Sequence, residues 1–231
     1  VVFELIFMLM LEFKLELECT SEQNHKQTKH LNMFHLCQRS LLTHTRRACR
    51  RQMSFSYPAP RTLDEVVKLD LLQNESTEKI QEIWQEFHDN KDEVIGAYWT
   101  ADEYRSFQKT GEKAAMFVFP VTRDDGHFVM LSQVQEKHCI LTMLDEYKLD
   151  PVNAQPWMAL TFYDDLAEDK DVVLVRGDVS VPKLTENEGK RLWGNVKHFY
   201  LKEAEEVDKF NNNPNEFDIE AHLSRDFNTL V

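Results

Sequence analysis

From residue 62 onward, apolar side chains recur with two different periods, and the changes of period divide the chain into helices, then a sheet, then helices. Thr62-Leu63-Asp64-Glu65 has the spacing of a capping box, and Val66, Val67 and Leu71 continue Leu63 along one helical face. A second helix is expected from Ser76, where Ile80, Ile83, Trp84 and Phe87 fall at i, i+3, i+4 and i+7 between polar residues. A third, Ala101–Thr110, carries Tyr104 and Phe107 and meets Gly111, expected to be its stop.

Around the third helix the pattern shortens to runs rich in Val, Ile, Phe, Tyr and Thr: 94–99, 114–121, 128–134, 139–147, 157–163 and 172–179. Asp124-Asp125-Gly126 and Glu136-Lys137 predict tight hairpins. Strands joined in that way pair antiparallel, because parallel neighbours need long crossovers. Met116-Phe117-Val118-Phe119 and the run 157–163 are apolar at successive positions, the pattern of strands covered on both faces; the alternative is that part of this surface is exposed for a partner. Thr185-Glu186-Asn187-Glu188 opens another capping box, followed by Leu192, Trp193, Val196, Phe199 and Tyr200 on a wide apolar face. The cluster Asn211-Asn212-Asn213-Pro214-Asn215 predicts a loop, and residues 217–227 a short last helix. The fold class expected is α+β: a mostly antiparallel sheet of about six strands flanked by N-terminal and C-terminal helices.

Charge separates this domain from what precedes it. The 231 residues carry a formal charge of −13, but residues 1–53 hold 8 basic and 5 acidic side chains, which leaves −16 on residues 54–231. An acidic domain is a poor ligand for a phosphate backbone or an anionic membrane, so neither nucleic acid nor membrane insertion is expected. Residues 1–32 begin with an apolar stretch whose longest uncharged run is too short to span a bilayer and continue as a polar tract; we expect a non-native upstream extension, or a disordered or cleaved leader. Residues 33–53 hold five Arg and no Asp or Glu, and on a helix Phe34, Cys37, Leu41 and Ala48 oppose Arg39, Arg46, Arg47 and Arg50, the pattern of a mitochondrial transit peptide. Cleavage is expected near Arg51-Gln52-Met53-Ser54; the alternative is a basic surface helix of the domain. Tyr57-Pro58-Ala59-Pro60 is a stiff lead-in to a single domain over residues 56–231.

Candidate chemistry is sparse. There is no Gly-x-Ser-x-Gly elbow, and Gly189-Lys190 lacks the upstream glycine of a phosphate loop. No His spacing suits a metal, although His127 and His138 could meet across a hairpin, and Cys139 is the sole thiol beyond the leader. The acid pairs Asp124-Asp125 and Asp164-Asp165 sit where turns are expected. No catalytic residue, cofactor or metal is therefore expected; the competing class is a small α+β matrix hydrolase or transferase using Asp164, Asp165 or His138.

The block Pro60-Arg61-Thr62-Leu63-Asp64-Glu65-Val66-Val67-Lys68-Leu69-Asp70, followed by the Ile83-Trp84 helix, resembles the mitochondrial F1-ATPase assembly factors that chaperone the β subunit of ATP synthase. Further matches are Phe119-Pro120, Leu160-Thr161-Phe162-Tyr163 leading to Lys170-Asp171-Val172-Val173-Leu174, and Asn215-Glu216-Phe217. The resemblance covers residues 58–225. It implies a matrix protein, expected to be a monomer, that binds unassembled β subunit, prevents its aggregation and is displaced by the α subunit, without catalysis or cofactor. A matrix scaffold with another client is a third possibility. Trp84, Phe87, Met116, Phe117 and Phe119 are the candidate partner-binding residues.

Overall fold

The computed structural model describes residues 61–228 apart from 90, 92, 124 and 125. The upstream extension, the basic amphipathic segment, the Tyr57–Pro60 lead-in and the Asp124-Asp125 pair lie outside the described residues. The first elements are two short helices, α1 (Leu63–Val66) and α2 (Leu69–Leu72), and a longer α3 (Thr77–Asp89). They lead into β1 (Val94–Trp99), α4 (Ala101–Lys113), β2 (Met116–Arg123), β3 (Gly126–Gln135), β4 (His138–Met143) and α5 (Leu144–Leu149). Then come β5 (Met158–Tyr163), α6 (Ala167–Lys170), β6 (Val173–Val179), α7 (Glu186–Lys202), α8 (Ala204–Asn212), a 3-10 turn at Pro214–Glu216 and α9 (Ile219–Leu223).

The fold is α+β. All six expected strands form, in one sheet of order β1-β6-β5-β4-β3-β2, and every pairing is antiparallel. The β3–β4 hairpin turns at Glu136, which takes a positive φ of 48°, with Gln135 opposite His138. Helices cover both faces. On one, Phe107 of α4 packs against Trp99 and Phe162 at 5.1 and 4.8 Å, and Phe199 of α7 packs against Phe117 at 5.1 Å. On the other, Leu63, Leu72, Ile80 and Trp84 close over Tyr163 and Leu174. Residues 158–163 are all buried, as a central strand between two helical layers requires.

Four local expectations change. The first helix stops at Val67, whose extended backbone (φ −137°, ψ 163°) breaks the run, so Leu72 is buried and Leu71 is 64% exposed. Gly111 does not end α4; it lies inside the helix, because an added Cβ would stand 2.5 Å from Val134 Cγ1 and only a glycine lets helix and sheet approach. The run 139–147 is strand only to Met143, since Leu144 and Tyr147 are buried at an i, i+3 spacing and Asp145 and Glu146 occupy the first turn of α5. The asparagine cluster is partly helical, Asn211 and Asn212 closing α8.

Candidate client interface

The strands run so that one end of the sheet gathers the start of β1, the ends of β2, β4 and β6, and the starts of β3 and β5. That end is a braced polar and aromatic scaffold. Trp157 N–H donates to Leu141 O and Ser180 N–H to Trp157 O, each at 2.8 Å, locking the loops before β5 and after β6 to the strands. Trp157 Nε1 donates to Glu146 Oε2 at 3.0 Å, Lys183 Nζ lies 3.5 Å from the same oxygen, and the Lys183 ammonium stands over the indole at 5.1 Å. Phe128 packs on Trp157 at 5.4 Å and carries Arg123 on its own face at 4.7 Å.

Arg123 reaches back to α7, donating from Nε and Nη2 to the two Glu188 oxygens at 2.7 and 3.0 Å, and from Nη2 to Lys183 O at 2.8 Å. Glu188 also accepts from Thr185 N at 2.7 Å, its capping-box bond. The Arg123 guanidinium first, and the Thr185 donors after burial is offset, hold the Glu188 carboxyl down at about 2. The sequence disclosed half of this site, the capping box; the partner 65 residues away left no local signal.

Upon this scaffold sit exposed apolar side chains. Leu149 is 87% exposed, Val152 73% and Val181 47%. Leu149 lies one turn beyond Glu146 on α5, and Val181 lies between Ser180 and Lys183, both tied to the Trp157 corner. The intervening loop is ordered by Asp150, whose Oδ1 accepts from Val152 N and Asn153 N at 3.2 and 3.1 Å and whose Oδ2 accepts from Asn153 Nδ2 at 2.8 Å. Those bonds, led by the Asn153 side chain, lower the Asp150 pKa. Phe87, on the last turn of α3 before β1, belongs to the same end and is 39% exposed, with Lys91 Nζ 3.3 Å from its ring centroid. Leu71 and Tyr98, the other large exposed apolar residues among the described ones, lie toward the opposite end of the sheet, where β6 starts.

A family model described as ATP11 protein matches residues 10–223 of the chain. The chain belongs to the ATP11 family. Among its relatives, the ATP synthase mitochondrial F1 complex assembly factor 1 of Danio rerio is 25% identical over 161 residues, covering 68% of this chain and 53% of that protein. The proteins of the same name from Mus musculus and Homo sapiens are 24% and 23% identical over 172 residues, each covering 73% of this chain and 53% and 52% of their own lengths. This ATP11-family chain thus spans about half the length of the curated relatives it matches.

The five candidate contact residues of this ATP11 domain do not come together. Trp84 and Phe87 are on α3, which packs on β1; Met116, Phe117 and Phe119 are on β2, the opposite edge of the sheet. With strands spaced by about 4.8 Å, the two edges are on the order of 24 Å apart. Trp84, Phe117 and Phe119 are each 0% exposed, and Met116 is half-buried. Trp84 donates from Nε1 to Val175 O at 3.0 Å, and Phe117 touches Phe119, Phe199, Phe210, Phe217 and His222. Surface is therefore available at Phe87 and, in part, at Met116. The large exposed apolar residues at this end of the sheet that sequence reasoning did not single out are Leu149, the last residue of α5, and Val152 and Val181 in turns, isolated positions that give no periodic signal.

Two residues of the competing enzyme reading, Asp164 and His138, lie at the same end of the sheet, where β4 starts and β5 ends. Asp164 is ion-paired with Lys137 Nζ, and His138, at the start of β4 opposite Thr161, has its pKa lowered by burial. Among the described residues no group of three His, Cys, Asp or Glu side chains could hold a metal ion, and no helix is long and apolar enough to cross a membrane.

Proposed function

We propose that this chain is an assembly chaperone of the F1 sector of mitochondrial ATP synthase, which binds the unassembled β subunit in the matrix and keeps it from aggregating until the α subunit displaces it. The observation that carries the reading is membership of the ATP11 family over residues 10–223, with relatives named ATP synthase mitochondrial F1 complex assembly factor 1. The basic segment 33–53 supports the address, since five Arg without an acidic residue suit electrophoretic import across a negative-inside membrane.

The physical task is to cover an apolar subunit surface that is buried only after assembly. A holdase lowers the free concentration of the aggregation-prone form by mass action. Release to α requires the α–β contact to be the stronger one, which favours a small chaperone interface. The end of the sheet carrying Leu149, Val152, Val181 and Phe87 meets that requirement: a few apolar contacts on a rigid base, surrounded by charge. The test is light scattering of isolated β subunit on warming, with and without equimolar chain. Suppressed scattering supports the reading; scattering unchanged by the chain overturns it.

A further inference from the structure

The β2 edge of the sheet is closed by side chains. Ala115 O accepts from Val134 N at 2.8 Å, which sets the ladder so that the odd-numbered residues of β2 bond to β3. The main-chain groups of Met116, Val118, Pro120 and Thr122 then face outward, in the position from which an edge strand recruits another chain. Asn211, from the end of α8, takes the first of these: its Oδ1 accepts from Met116 N at 3.1 Å and its Nδ2 donates to Met116 O at 2.6 Å. One side-chain amide thereby replaces the peptide group of a neighbouring strand. Its remaining hydrogen goes to Val207 O at 2.7 Å, which fixes the amide on its own helix. His222 of α9 donates from Nε2 to Val118 O at 2.9 Å. The next outward position is Pro120, which has no N–H to offer.

We propose that Asn211 and His222 form an edge guard: without them the outer edge of β2 accepts the same strand from a second copy of this chain. A second copy is the fitting occupant because an antiparallel edge is self-complementary about a two-fold axis. Residues 116–121 (Met-Phe-Val-Phe-Pro-Val) also hold no charge that would repel an identical strand. The asparagine cluster that reads as a loop in the sequence gains a specific role, and so does the placement of Pro120.

The test uses the full chain with Asn211→Ala and His222→Leu together, folding being checked by circular dichroism and mass by light scattering across a concentration series. The double variant is expected to rise above the wild-type mass toward twice its value as concentration increases. Adding Met116→Pro, which removes the first outward N–H at the start of the strand, is expected to return the wild-type mass. Should the double variant not fold, Asn211→Ala alone is measured and read in the same way. A folded variant that keeps the wild-type mass at every concentration overturns the proposal, as does a gain in mass that Met116→Pro leaves unchanged.

Discussion

Replacing Glu188 by Gln keeps the shape of the side chain and its ability to accept the Thr185 N–H, but removes the charge that meets Arg123. The folded-state pKa of about 2 against an ordinary value of 4.5 sets the size of the effect. A difference of that order corresponds to about 3 kcal/mol at neutral pH, from about 1.4 kcal/mol per unit. Glu188 is 5% exposed but Arg123 is 40% exposed, so solvent screening reduces this to about 2 to 3 kcal/mol. The sign follows from the depressed pKa. The contribution is complete well above pH 4.5, declines as the unfolded chain takes up the proton, and is gone once the pH has fallen through about 2. Urea unfolding of wild type and Glu188→Gln at pH 7 should therefore differ by about 2 to 3 kcal/mol, and at about pH 3 by less than half of that. An equal difference at both pH values, or none at pH 7, would refute the claim that the Arg123 ion pair is the source.

Phe117→Ala should cost about 3 to 5 kcal/mol in urea unfolding, because the ring is fully buried among five aromatic neighbours; a loss under about 1 kcal/mol would place it outside the core. Gly111→Ala, which helix propensity alone would make stabilising by about 1 kcal/mol, should instead destabilise by about 1 to 3 kcal/mol. The cause is contact with Val134, so Val134→Ala in the same chain should recover part of the loss, and additive effects would show that the close approach is not responsible. Leu149→Ser with Val152→Ser should leave stability within about 1 kcal/mol of wild type, both side chains being largely exposed, yet weaken suppression of β-subunit scattering; unimpaired suppression would move the client surface elsewhere.

The sheet was legible because its strands are apolar, short and punctuated by turn residues, and the long helices because Ile80 with Trp84, and Leu192 with Val196 and Phe199, repeat on one face. The same rule drew the candidate contacts toward side chains with little free surface. Apolar runs such as 116–119 signal burial, and in a sheet sandwiched by helices burial means core, so Phe117 and Phe119 were the least available residues of the strand. Exposed Leu149, Val152 and Val181 are single apolar positions on two segments far apart in sequence, and those segments come to one end of the sheet only because the loops before β5 and after β6 meet at Trp157. Gly111 read as a helix stop because its packing partner, Val134, lies on a later strand. Long-range pairs such as Arg123 with Glu188 and Met116 with Asn211 likewise join residues whose local sequence announces only a strand, a cap or a loop.

The central claim, that this ATP11-family chain holds unassembled β subunit and yields it to α, is tested most directly by size-exclusion chromatography of the purified chain with isolated β subunit, before and after addition of α. The account predicts a complex of the chain with β that is lost when α is added, the chain returning to its free elution position as α and β elute together. A chain that never co-elutes with β, or that stays bound after α and β have joined, would contradict it.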